Sequence, residues 1–169
     1  MPFSVYQVTV PIFVRGLERL SVFLDKAEGF AAEKGLDTSD FVQARLAPDM
    51  LPLSGQVQRA SDTSKLAIAR LGGIEAPKFE DVEKTFPELG TRIADTIAFL
   101  RSVRPEQLDG AEARTIQFTA GKTALTFRGD TYVTGFALPN FFFHVTTAYD
   151  ILRHEGVPLG KRDFLGEIS

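Results

Sequence analysis

Asn140 and His144 stand four residues apart in the run Asn140-Phe-Phe-Phe-His144-Val-Thr-Thr-Ala-Tyr-Asp-Ile-Leu-Arg-His154, which is one turn of a helix. An imidazole nitrogen and a carboxamide oxygen on one helical face can ligate a metal or hold a ligand by hydrogen bonds. The imidazole can also move a proton as a general base. With His144 as the origin of a helical wheel, Asn140 falls about 40° to one side and Ala148 about 40° to the other. Phe141, Val145 and Leu152 form the apolar arc about 60–100° away. The pair therefore sits on the shoulder of a buried face. The structural alternatives are a buried imidazole bonded to Asn140, Thr147 or Ser64, and an Asn140 that caps the helix after Pro139. His154 points off the arc near the helix C-terminus, where the dipole favours a proton, and is expected at the surface.

These residues need other helices to face. The first should run from about Val5 to Lys34, with Tyr6, Val10, Phe13, Leu17, Leu20, Leu24, Ala27 and Ala31 drawing one apolar stripe. Pro11 should delay or kink its first turns, and Gly35 should stop it. Asp37 to Asp40 offer caps for a short helix ending before Pro48. A second long helix should begin near Asp49 and end at Gly72-Gly73, with Met50, Leu53, Val57, Ala60, Ser64, Ala67 and Leu71 on its stripe. The small middle of that stripe either admits a neighbouring helix closely or leaves room for a ligand. Gln56 lies about 65° from its centre and could face the site, with Asp49 a further inward candidate. Thr85-Phe-Pro-Glu88 fits a capping box at the start of the third long helix, whose buried face is Leu89, Ile93, Ile97 and Leu100 before Pro105 ends it.

Two alternating runs follow, Thr115–Thr119 and Thr123–Phe127, separated by Ala120-Gly121-Lys122. They predict a β-hairpin with Ile116, Phe118, Leu125 and Phe127 on one face, packed on the helices. The last helix should run from Thr131 to Glu155, capped by Asp130, bent at Pro139 and stopped by Gly156 and Pro158. The expected fold is all-α: an up-down four-helix bundle with a small β-hairpin before the last helix, one domain over residues 1–169. Of Phe141, Phe142 and Phe143, one ring should pack in the core and another should meet a different element or a second subunit.

Composition narrows the function. A chain of 169 residues, 44% hydrophobic, holds ample apolar surface for a full core. A net charge of −3 without a basic cluster argues against nucleic acid. Absence of cysteine excludes disulfides and thiolate chemistry, and fits a reducing cytoplasm. No stretch approaches the roughly 18 apolar residues that span a bilayer, so no membrane role is expected and the chain reads as cytoplasmic. Lys161-Arg162 is too brief to imply nucleic acid, and Leu71-Gly-Gly73 lacks the lysine-serine signature of a phosphate loop.

Leu138-Pro-Asn-Phe-Phe-Phe-His-Val-Thr-Thr-Ala-Tyr149, the tail Leu159-Gly-Lys-Arg-Asp-Phe-Leu165 and Arg45-Leu-Ala-Pro-Asp-Met50 resemble a bacterial family of domains of unknown function. The resemblance spans nearly the whole chain. That family is similar to the DinB/YfiT superfamily of four-helix bundles, so the resemblance implies a homodimer. It also implies a metal-dependent relative among thiol S-transferases and isomerases, whose usual site is three histidines. Matching the Leu-Arg pair of that pattern to Leu152-Arg153 puts the second of the paired histidines on His144 and the first on Asn140. The helix expected over residues 49–71 carries no histidine, leaving Gln56 as the third candidate ligand. With two histidines in the chain, a three-histidine site within one subunit is impossible, and carboxamides are weak ligands for zinc or nickel. No cofactor is expected, and zinc or nickel would be the metal if one were held by His144, Asn140 and Gln56. Two functions compete. One is a metal-poor or metal-free bundle that binds a small apolar molecule or acts through dimerisation. The other is a metal-dependent enzyme of the thiol-transferase or isomerase type with a degenerate ligand set around His144.

Overall fold

The computed structural model describes residues 3–167. Helix α1 spans Val10–Lys34, five residues later than the apolar stripe alone suggests. Proline fits the first turn of a helix, where its missing N–H leaves no bond unmade, and Pro11 occupies that turn. Residues 5–9 form tight turns ahead of it. Gly35, at φ 65°, closes α1 in the left-handed region. Asp37 caps the short α2, Thr38–Gln43, by accepting from the Ser39 amide at 2.8 Å. Helix α3 runs Leu53–Gly72. It begins later than the expected Asp49 because Pro52 forces the residue before it out of the helical region. Thr85 and Glu88 form the expected capping box of α4, Phe86–Ser102, with bonds of 3.3 and 3.0 Å.

Strands β1, Thr115–Ala120, and β2, Thr123–Arg128, pair antiparallel with Ile116 opposite Phe127 and Phe118 opposite Leu125. That is the expected face, closed by a two-residue turn at Gly121-Lys122. The next helix starts at Gly129 as α5, Gly129–Tyr132, so Asp130 lies within its first turn instead of capping it from outside. A wider turn, Val133–Ala137, follows, and the chain continues as α6, Leu138–His154. The Leu138 amide bonds the Val133 carbonyl, five residues back. The wide turn makes room for Pro139, whose ring would crowd a regular helical carbonyl and whose nitrogen has nothing to donate. The tail ends in α7, Lys161–Leu165.

The four long helices enclose one apolar cluster, with α1 and α3 on opposite corners and α4 and α6 between them. Helix directions follow from cross-contacts. Phe13 meets Phe141 and Phe23 meets Tyr149, so α1 and α6 run together. Glu18 pairs with Arg101 while Phe30, Phe41 and Phe86 cluster at the other end, so α4 opposes α1. Thr63 bonds Asn140 and Gln56 bonds His144, so α3 opposes α6. The bundle thus reads up, down, down, up. The connection over 73–85 is extended enough to travel back along α3, since about 3.3 Å per residue outruns the 1.5 Å rise of a helix. Arg92, buried on α4, anchors that connection through Asp81 and Glu83 at 3.0 Å and also holds Asp62 of α3 at 2.9 Å.

Among the described residues no helix is long and apolar enough to cross a membrane. Helix α6 meets α1 where Gly16 leaves space for the Phe141 ring; a Cβ on residue 16 would overlap that ring. Gly16→Ala should therefore cost about 1–3 kcal/mol in urea unfolding, and Phe141→Leu in the same chain should restore part of it. Unchanged stability of the single variant would contradict this packing.

Candidate functional site

The seam between α3 and α6 brings together the three residues singled out by sequence. Gln56 is buried, and its Nε2 donates to the Leu51 carbonyl at 3.1 Å. That bond turns its oxygen toward α6, where Oε1 lies 2.8 Å from His144 Nδ1. An amide oxygen only accepts, so Nδ1 carries the ring proton and Nε2 is left as the open, basic nitrogen. His144 is pushed down from 6.5 to about 4, first by burial and then by the positive charge of Arg59. The imidazole is neutral at neutral pH.

Asn140 does not cap a helix. The chain is helical through Pro139, and the Asn140 side chain crosses to α3, where Nδ2 donates to Thr63 Oγ1 at 2.8 Å. The hydroxyls expected as partners of His144 stay on their own helices: Ser64 donates to the Ala60 and Ser61 carbonyls, and Thr147 to the Phe143 carbonyl. Asp49 is exposed in the turn before α3 and takes no part. His154 is exposed at the end of α6, as expected. Phe141 is buried, whereas Phe142 and Phe143 are 37% and 54% exposed.

His144 and Asn140 line a groove of about 240 Å³ between α3, α6 and the hairpin. Its floor is a stripe of α3, namely Arg59, Thr63, Leu66 and Arg70, spaced by fours and threes as one helical face requires. Phe118, Phe136 and Tyr132 close its far end. Sequence reasoning missed this stripe because it followed the apolar face of α3 and not the polar face beside it. The signal was the same periodicity.

The donor set suits a metal poorly. Among the described residues no three histidine, cysteine, aspartate or glutamate side chains are grouped to hold an ion. The three candidates comprise one imidazole and two carboxamides. Gln56 Oε1 already accepts the imidazole proton, and Asn140 presents its donor nitrogen to Thr63. Borderline transition metals favour imidazole and charged ligands over such oxygens.

Four antiparallel and parallel neighbours in this order, with the last helix turning a histidine toward the second long one, define a DinB/YfiT-like bundle. Residues 5–165 match the family described as Domain of unknown function (DUF1993), and the chain belongs to that family. It is also similar to the crystal structure of a DinB family member protein from Shewanella denitrificans, with 40% sequence identity and a TM-score of 0.89 over 97% of this chain and 93% of that one. None of the curated proteins compared matches the chain.

A titration of the His144 ring by NMR should have its midpoint near 4. Because the folded-state value lies below 6.5, the neutral ring's contribution to stability is complete above that pH. It is lost as the pH falls through about 4. A midpoint at the ordinary histidine value would show that the ring is neither desolvated nor close to Arg59.

Proposed function

We propose that this chain is a single-domain, metal-free module that binds a small molecule in the groove between α3, α6 and the hairpin. The observation that carries the reading is the Gln56–His144 bond. It fixes the tautomer, commits the carboxamide oxygen, and leaves Nε2 of a neutral imidazole as a hydrogen-bond acceptor beside the groove. Asn140, having given Nδ2 to Thr63, adds an amide oxygen acceptor on the same wall. Two acceptors in a row select a hydroxyl or amine on the ligand, while Leu66, Phe118 and Phe136 supply apolar contact for its body.

A metal-dependent transferase or isomerase built on the same residues would have to draw on Gln56 Oε1, which already accepts the His144 proton, and on the uncharged oxygen of Asn140, a weak ligand for zinc or nickel. Metal analysis of purified protein separates the two readings. We expect substoichiometric zinc and nickel, and no rise in Tm when either is added. One equivalent of metal, lost together with its stabilising effect in His144→Ala, would overturn the metal-free reading.

Self-association is a second reading, favoured by the exposed Phe142 and Phe143 on one stretch of α6. Phe142 borders a shallow apolar groove with Ile12, Val145, Phe164 and Leu165. A protruding ring beside a groove on one face suits a two-fold contact, in which each copy presents both halves. Sedimentation should show a dimer that Phe143→Ser shifts toward monomer; a strict monomer at high concentration would remove this reading.

A further inference from the structure

We propose that Arg70 is the anchor for a carboxylate, so that the groove takes an organic acid whose carboxylate lies at the hairpin end and whose uncharged donor group reaches Asn140 and His144. This rests on the groove being a ligand site. The arginines of this region differ in one respect. Arg59 is paired with Asp62 at 3.1 Å and with Asp81, and Arg92 is paired with Asp62, Asp81 and Glu83. Arg70 has no carboxylate partner among the described residues, although it lines the groove.

Its guanidinium is nevertheless held in place. Its Cζ lies over the Phe118 ring, 4.0 Å from the centroid, and one Nη donates to the Tyr132 hydroxyl at 3.0 Å. The ring contact and the hydroxyl bond hold the guanidinium while its other N–H groups stay available, and a guanidinium edge matches the two oxygens of a carboxylate. Tyr132 is buried, with its pKa pushed up by that burial. It keeps its proton and, having accepted from Arg70, has an O–H to donate. The hairpin is needed for this arrangement, since Phe118 of β1 forms one wall and packs against Tyr132 and Phe136.

Charge and length narrow the ligand further. Asp62 lines the same groove, and Arg59 already has two carboxylate partners. Arg70 therefore supplies one uncompensated positive charge, which balances a monoanionic carboxylate and leaves a phosphate dianion in excess. Thr63, at the level of Asn140, lies seven residues before Arg70 on α3, a rise of about 10 Å. The acid and the donor group should be separated by about that length.

The probe pair 4-(4-hydroxyphenyl)butanoate and its uncharged carboxamide spans this distance and differs only in charge. Binding is read by shifts of the Arg70 Nε–H and His144 ring signals in the full chain. The acid should bind at least tenfold more tightly than the carboxamide. Arg70→Gln should remove the tenfold preference for the acid over the carboxamide, and inorganic phosphate should not displace the acid. Equal binding of acid and carboxamide to the unaltered protein would overturn the carboxylate assignment and leave the groove reading standing. Displacement by phosphate would likewise overturn the assignment. If neither probe moves these signals at millimolar concentration, both readings fall. The acid–carboxamide comparison needs no variant, so a poorly folding Arg70→Gln does not blunt the test.

Discussion

Helix α6 is held between α1 and α3, and the placement of every groove residue on it follows from that grip. On the α1 side the Phe141 ring fills the space that a side chain on residue 16 would need. On the α3 side the buried stripe narrows to Ala60, Ser64 and Ala67, which brings the two backbones close. Protein interiors are packed too densely for a helix so held to rotate or slide freely. Asn140 and His144 are thereby delivered to Thr63 and Gln56, at the edge of the seam and not at its centre.

That position sets the chemistry. A histidine at the centre of the seam would be sealed off, and one on the outer face would be hydrated and ordinary. At the edge, burial and Arg59 together favour the neutral ring, while Gln56 decides which nitrogen keeps the proton. The Gln56 amide is itself oriented by the Leu51 carbonyl, so the imidazole tautomer is set by a chain of bonds reaching the turn before α3. The polar groups of the seam form a hydrogen-bonded chain that leaves His144 Nε2 and the Asn140 oxygen as its unengaged acceptors.

Charge is organised on the same principle. Arg92 is buried, yet three carboxylates and a backbone carbonyl surround it. A buried charge is tolerated when it is so compensated, and removing one partner costs far more than the pair contributes. This cluster ties the long 73–85 connection to the side of the bundle and thereby permits two consecutive long helices to run the same way. Arg70, held over the Phe118 ring and hydrogen-bonded but lacking a carboxylate, stands out against that background of full compensation.

Much of the architecture was legible in the residues themselves. Period-3.6 stripes gave the long helices, Thr85 and Glu88 signed the start of α4, and alternation over 115–127 gave both the hairpin and its buried face. These signals are local, and local chemistry suffices for them. The apolar stripes of α1 and α3 extend N-terminally past Pro11 and Pro52, beyond where proline lets the helices begin. His144, Asn140 and Gln56 could be named from spacing, and His154 could be set aside. Sequence could not say that Asn140 would reach Thr63 in place of capping its own helix, nor that Gln56 would be the partner of His144. It could not show that Arg70 would lie on Phe118 from the hairpin. Those pairings join residues 48 to 88 positions apart in sequence; they depend on the angle and offset at which helices pack, which only the assembled core fixes.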